Sequence, residues 1–369
     1  MPYRNLSPET TRKIMDWFIT VVLFIALVTL VTLRFTIFKP RREAPNVIVP
    51  SITVAQDGSG NYTTISAAIA AAPSYSHSRF GILIRAGVYR EAVRVPGDKQ
   101  RLALIGEGSG LTIISGNHSR SVNLSRSGNL VEDDTATLWI DGFGFVGMDM
   151  KVKNTGNGAA VVNLADRSAF QSCIFEGYRR VVRAVIGKQF YGECTIFGAV
   201  DIISGAAAAV FQNSVIVVGK PAVRADYPSV VTLQERKNKL FSVSGFVIQG
   251  GRVVAASSDF DETPVTGTYL GRPGGKFSSA VVMQCFLGPL INPLGWLRVN
   301  ESASDNDDQV EFREFDNTGP GAKTMKRASW PGFKVINTTS EARLFTVDSF
   351  IEGKGWLPET TVNFVPGFL

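Results

Sequence analysis

Ala169-Phe-Gln-Ser-Cys-Ile-Phe175, Gln189-Phe-Tyr-Gly-Glu-Cys-Thr-Ile-Phe197 and Val210-Phe-Gln-Asn-Ser-Val-Ile-Val217 are three versions of one phrase. Cys173, Cys194 and Ser214 take equivalent places in it, about 21 residues apart. Short β-branched and aromatic runs at that period indicate a solenoid, because one such coil can bury its apolar face only against the next. Leucine-rich repeats share the period but need a Leu-x-x-Leu-x-Leu frame, which is absent here. An all-β parallel β-helix is therefore expected. The run Thr63 to Ala72 reads as a short helix able to cover the first coil, whose edge would otherwise expose unpaired strand. The period also sets Arg180 one repeat before Asp201. Strands lie about 4.8 Å apart, so these two residues are expected side by side and able to pair.

The composition bounds what such a solenoid does. Of 369 residues, 44% are hydrophobic and 19% charged, which describes a folded chain with a large core. A net charge of +6 favours acidic partners, whether nucleic acid, an acidic polysaccharide or a membrane surface. The body has no dense Lys/Arg stretch interleaved with aromatics, so nucleic acid is not expected as a partner. Three cysteines exclude a disulfide scaffold and a cysteine zinc cluster. Cys173 and Cys194 fall on neighbouring coils, either as a disulfide or as stacked buried thiols. The two histidines, His77 and His118, lie in Ser-rich polar stretches and give little basis for a Ser-His-Asp hydrolase or a histidine metal site. Gly271 to Lys276 is too short for a phosphate loop, and Asp305, Asp307 and Asp308 lack the glycine and distal glutamate of a calcium loop. No metal or cofactor is expected.

The amino terminus suggests a compartment. Trp17 to Leu33 is uncharged and rich in Val, Leu, Ile and Phe, with Arg12 and Lys13 before it and Arg34, Lys39, Arg41 and Arg42 after it. This reads as a transmembrane signal-anchor over 17–38, after a short tail at 1–16 and before a linker at 39–51. A cleaved signal peptide is the alternative. The near balance of flanking charge leaves the orientation open. Sequons at Asn61, Asn117, Asn123, Asn300 and Asn337 all follow the span and agree with a body facing the lumen or cell wall. The expected location is a membrane-anchored protein of the secretory pathway, at the Golgi or plasma membrane, or a secreted wall protein if the signal is cleaved.

From about Ile52 to the end, the chain resembles the plant pectin methylesterases. The matching pieces run in order: Val54-Ala-Gln-Asp-Gly-Ser-Gly-Asn-Tyr-Thr-Thr-Ile65, Ala86-Gly-Val-Tyr-Arg-Glu91, Lys188-Gln-Phe-Tyr191, Gly198-Ala-Val-Asp-Ile-Ile-Ser-Gly205 with Ala209-Val-Phe-Gln-Asn213, Leu270-Gly-Arg-Pro273, Ile291-Asn-Pro-Leu-Gly-Trp296, Phe315-Asp-Asn-Thr-Gly-Pro-Gly-Ala322 and Trp330-Pro-Gly-Phe333. The resemblance implies a right-handed parallel β-helix over 52–369, with no inhibitor-like domain before it. It also implies homogalacturonan (pectin) as partner and hydrolysis of its methyl esters in the cell wall. Asp201 would be the nucleophile and Arg272 the residue that holds it, because covalent catalysis by a carboxylate needs a fixed anion and a bidentate arginine supplies one. Trp296 matches an aromatic of the sugar-binding region, and equally suits a packing role.

Several positions depart from the family pattern. Gly177-Tyr-Arg-Arg-Val-Val182 stands where the family has Gly-Tyr-Gln-Asp-Thr-Leu. Arg179 thus replaces a glutamine that binds the oxyanion, and Arg180 replaces the aspartate that protonates departing methanol. A second glutamine has no counterpart around Asn157 to Val161, and the aromatic after Leu-Gly-Arg-Pro is Gly274. Arg179, Arg180 and Arg183 make the notable basic cluster near the expected groove, either balancing nearby acids such as Glu176 or contacting galacturonate carboxylates. Esterase turnover is expected to be much reduced, and the alternative is a non-catalytic pectin-binding or regulatory protein.

Overall fold

Strands Ser168–Gln171, Lys188–Gly192 and Ala208–Gln212 lie side by side and parallel, with Phe170 opposite Tyr191 and Tyr191 opposite Phe211. The repeated phrase is therefore one strand position on successive coils. The rings stack along the core, Phe170 on Tyr191 at 5.3 Å and Tyr191 on Phe211 at 4.5 Å, both pairs nearly parallel. Each such pair adds about 0.5–1.5 kcal/mol beyond the area it buries. Equal residues recur at equal places because parallel pairing in register sets like above like.

The computed structural model describes residues 47–118, 136–219, 228–239, 243–256, 267–298 and 309–369. The expected anchor at 17–38 with its flanks to 46, Asn123, Asn300 and the Asp305 to Asp308 stretch lie outside the described residues. Among the described residues, no helix is long and apolar enough to cross a membrane. Residues Ile48–Leu369 form one compact unit. Among the described residues, its strands make three sheets of eleven, eight and seven strands, and every strand pair in them is parallel. One coil runs through a strand of each, as in Lys188–Gly192, Thr195–Gly198 and Ile203–Gly205. Alternation sends Phe190 to the outer face of the eleven-stranded sheet and Gln189 and Tyr191 inward, where they bond to each other at 2.8 Å.

Two faces of the solenoid are covered by helical segments. Helix Ile65–Ala71, capped by the Thr64 hydroxyl accepting from the Ala67 amide, buries Ile65, Ala68 and Ile69 beside the first strands. Glu91 accepts from the Ile65 and Ser66 amides, so two of the helix's orphan donors are also satisfied. At the other end of the chain, Val347, Phe350, Ile351, Trp356 and Leu357 cover the outer face of the eleven-stranded sheet over Ala169, Phe190, Val210 and Val247. The final residues dock through glutamines: Gln212 bonds both ways with Val365, Gln249 donates to Gly367, and Gln284 bonds both ways with Leu369.

Cys173, Cys194 and Cys285 are free thiols and all are buried, which settles the disulfide alternative against a bridge. Burial raises the Cys194 thiol well above its ordinary value, with the Cys173 contact adding to it. Burial likewise pushes Cys285 up to about 12. These sulfurs act as core packing, not as nucleophiles. The sequon asparagines Asn61, Asn117 and Asn337 are all exposed.

Candidate active site

Asp201 sits at the corner that leads into strand Ile203–Gly205, with a left-handed backbone at φ 48°. Its side chain is only 1% exposed, yet both oxygens are engaged. Arg272 donates from Nε to Oδ1 and from Nη2 to Oδ2, each at 2.8 Å, while Arg179 donates from Nη2 to Oδ2 at 3.1 Å. A carboxylate offers about four lone-pair sites. Oδ2 has therefore used both of its own, and Oδ1 keeps one. The Arg272 fork brings the expected holder onto the expected nucleophile across three strands of the seven-stranded sheet, with Ser204 opposite Leu233 and Leu233 opposite Arg272.

The Arg180–Asp201 pairing expected from the repeat is not what forms. Arg179 is the bridge partner of Val200 across neighbouring coils, so Arg180 and Asp201 do hold equivalent backbone positions, and both have φ 48°. That equivalence is the reason they do not pair: residues stacked in register project the same way rather than toward each other. Arg179, one residue off register, reaches diagonally to Asp201 instead. Arg180 turns to Glu235, with Nη2 3.7 Å from Oε1. Glu235 escaped the sequence reading. One strand ends at Val218 and the next begins at Val230, which breaks the spacing of about 21 residues, so no constant period leads from Arg180 to Glu235.

Two further expectations resolve in different directions. Trp296 is 1% exposed and belongs to the core. It stacks on Phe312 at 4.5 Å, donates from Nε1 to Glu314 at 3.0 Å and packs against Gly271, the residue before Arg272. The expected sugar contact is thus corrected to a packing role, because a ring with no exposed face cannot meet a sugar. Gly274 is exposed, but a β-carbon there would press on Leu233 and on the stem of Glu235. Those two side chains fill the space an aromatic at this position would need.

The electrostatics follow from these contacts. Among the described residues, the guanidinium groups of Arg179, Arg180 and Arg272 face the carboxylates of Asp201 and Glu235. Arg179 is 32% exposed and Arg272 17%, so the cationic side of the cluster faces solvent while the anion is covered. Arg183 stands opposite Ser204 on the same outer face of the sheet as Arg272. Chemically, the arrangement fixes an anion, lines an acceptor-seeking surface above it, and places a guanidinium at residue 180, the position where the family resemblance expects a proton donor.

The chain matches the family model described as Pectinesterase over residues 51–354. It is 41% identical over 327 residues to a protein named Probable pectinesterase 30 from Arabidopsis thaliana, covering 87% of this chain and 63% of that one. It is 39% identical over 325 residues to Pectinesterase 2 of Citrus sinensis, covering 86% of this chain and 60% of that one. The chain thus spans less than two thirds of the length of these relatives. The pectin methylesterase from carrot is similar in structure, with a TM-score of 0.78 and 37% identity, over 87% of this chain and 99% of that one.

Proposed function

We propose, on the premise that this chain belongs to the pectinesterase family, that it engages methyl-esterified homogalacturonan at the Asp201 corner and hydrolyses its methyl esters far more slowly than a complete site would. The observation that carries this reading is the state of Asp201: retained, held by the Arg272 fork, and closed over by Arg179 on Oδ2. In the reaction, Oδ1 attacks the ester carbonyl carbon and the carbon–methoxy bond breaks. Methanol leaves once its oxygen gains a proton, and water then opens the resulting anhydride to free Asp201 and the acid.

Each step meets an obstacle in this chain. Attack requires the carboxylate to be uncovered, because its side chain is 1% exposed and Arg179 ties down its Oδ2. Departure of methanol requires a proton that Arg180 is poorly suited to give, since a guanidinium is too weak an acid to serve as a proton donor. A positioned general acid supplies about 10²–10⁴ in rate. A lost oxyanion donor removes about 10²–10³ more, part of which the Arg179 N–H groups offset.

One observation favours a second reading. The Arg179 bond to Oδ2 makes the site a closed ion cluster, which suits a pectin-binding or regulatory protein without turnover. Methanol release from methylated pectin, compared with an Asp201→Asn control, separates the two. Release above the control supports slow hydrolysis. Release equal to the control, with pectin still bound, sinks it in favour of the binding role, and failure to bind pectin of any ester content sinks both. The right-handed winding, the anchor at 17–38 and a body in the secretory lumen or wall belong to the same proposal, supported by the sequence pattern and the exposed sequons. Resistance of the full chain to alkaline carbonate extraction from membranes checks the anchor.

A further inference from the structure

The outer face of the seven-stranded sheet continues well beyond the Asp201 corner. Arg183 is opposite Val162, Val162 opposite Trp139, and Trp139 opposite Arg94, so these four residues extend the row that begins at Arg272 and passes through Leu233 and Ser204. Short members of the row, Val162, Ser204 and Leu233, are buried and form its floor. Long members stand above it. Guanidinium groups recur at every third strand: Arg94, Arg183 and Arg272.

The far end of the row is built rather than merely charged. Trp139 is half-buried against Ala136, Ala159 and Val162, and its Nε1 donates to Asp141 Oδ1 at 2.9 Å. Arg94 lies over the Trp139 ring at 5.1 Å and donates from Nη2 to Asp141 Oδ2 at 3.1 Å. Asp141 therefore fixes both partners, yet Arg94 remains 52% exposed. A guanidinium held over an indole and bonded to Asp141 loses less conformational freedom when it takes a planar anion, and guanidinium groups bind carboxylates bidentately.

The geometry points to a distal uronate subsite at Arg94 and Trp139, joined to the Asp201 corner by Arg183, and selective for free galacturonate carboxylates over their methyl esters. This rests on the pectin-binding reading above and adds direction, length and charge to it. Strand spacing of about 4.8 Å places Trp139 roughly 14 Å and Arg94 roughly 19 Å from the Ser204 position, toward the amino-terminal coils. One strand spacing is close to the length of one sugar in an extended chain. A pectin chain laid along the row meets Arg183 beside the site and Arg94 several sugars on. An ester presents no anion to either guanidinium, and an acid presents one to each.

The test is binding of de-esterified oligogalacturonates of increasing length to the full chain, as wild type and as Arg94→Gln, by titration calorimetry. Trp139→Phe serves as a second variant, with thermal melts confirming that both remain folded. Long oligomers are expected to bind Arg94→Gln about tenfold more weakly than wild type. Di- and trigalacturonate, too short to reach, should bind both alike, as should fully methylated long oligomers. Unchanged binding of long acidic oligomers to both variants overturns the subsite while leaving the function proposed above intact. Equal weakening for short and long oligomers also overturns it, because a loss that ignores length is not a distal contact. Failure of wild type to bind any oligomer, esterified or not, overturns the pectin-binding reading itself.

Discussion

Among the described residues, two buried carboxylates are held by an arginine fork, and their surroundings differ. Glu314 takes Arg327 Nε at 2.7 Å and Nη2 at 3.0 Å, plus Trp296 Nε1 at 3.0 Å. Asp201 takes Arg272 twice at 2.8 Å, plus Arg179 at 3.1 Å. The donor sets are alike, and so is the burial of the acids. The arginines are not alike. Arg327 has a side chain 2% exposed and spends further N–H groups on the Pro293 and Gly321 carbonyls, whereas Arg179 and Arg272 reach solvent. The first cluster is sealed and pins Trp296 behind the strand of Arg272. The second is closed on the inside and open to a ligand on the outside. We propose that what separates a structural rivet from a reactive site is whether the arginine can be displaced, not the bond list of the carboxylate.

Breaking each cluster in turn should show that difference. Glu314→Gln leaves a cation buried on all sides, and removing one member of a buried pair costs about 3–5 kcal/mol. A large fall in the denaturant midpoint is expected, with an unchanged m-value. Asp201→Asn removes the same charge, but the stranded arginines can turn to water, so a loss of only about 1–2 kcal/mol is expected. Equal losses for the two variants would erase the distinction drawn between them. A smaller, pH-dependent effect should appear at Glu176, a surface carboxylate. Burial raises its pKa, but the bond from Lys153 and the charge of Lys151 outweigh burial, so the net shift is downward. Its contribution is present above the unfolded value of about 4.3 and is lost as pH falls through the lower folded value. The stability difference between wild type and Glu176→Gln, measured by thermal melts, should hold steady above about pH 5 and vanish in stronger acid.

The same contrast explains what the sequence made legible. The stacked phrases around Phe170, Tyr191 and Phe211 could be read because pairing in register repeats a residue type at each coil. Backbone equivalence of Arg180 and Asp201 was legible for that reason. Their side-chain partners were not, because a period gives position along the coil and says nothing of direction. Arg272 and Glu235 lie beyond connections of irregular length, so Arg272 came from family resemblance and Glu235 was missed. Trp296 left two roles open until its burial and its bond to Glu314 fixed one. The filling of the space beside Gly274 by Leu233 and Glu235 needed coordinates.

In the function proposed above, Asp201 is a competent nucleophile whose site is closed by Arg179 and lacks a proton donor at residue 180. Methanol release from methylated pectin by Arg179→Gln combined with Arg180→Asp tests it most directly. The double variant should exceed wild type by about 10³-fold or more, since it restores both an acid and an oxyanion donor, and adding Asp201→Asn should abolish the gain. A folded double variant that binds pectin yet releases no more methanol than wild type would contradict the claim.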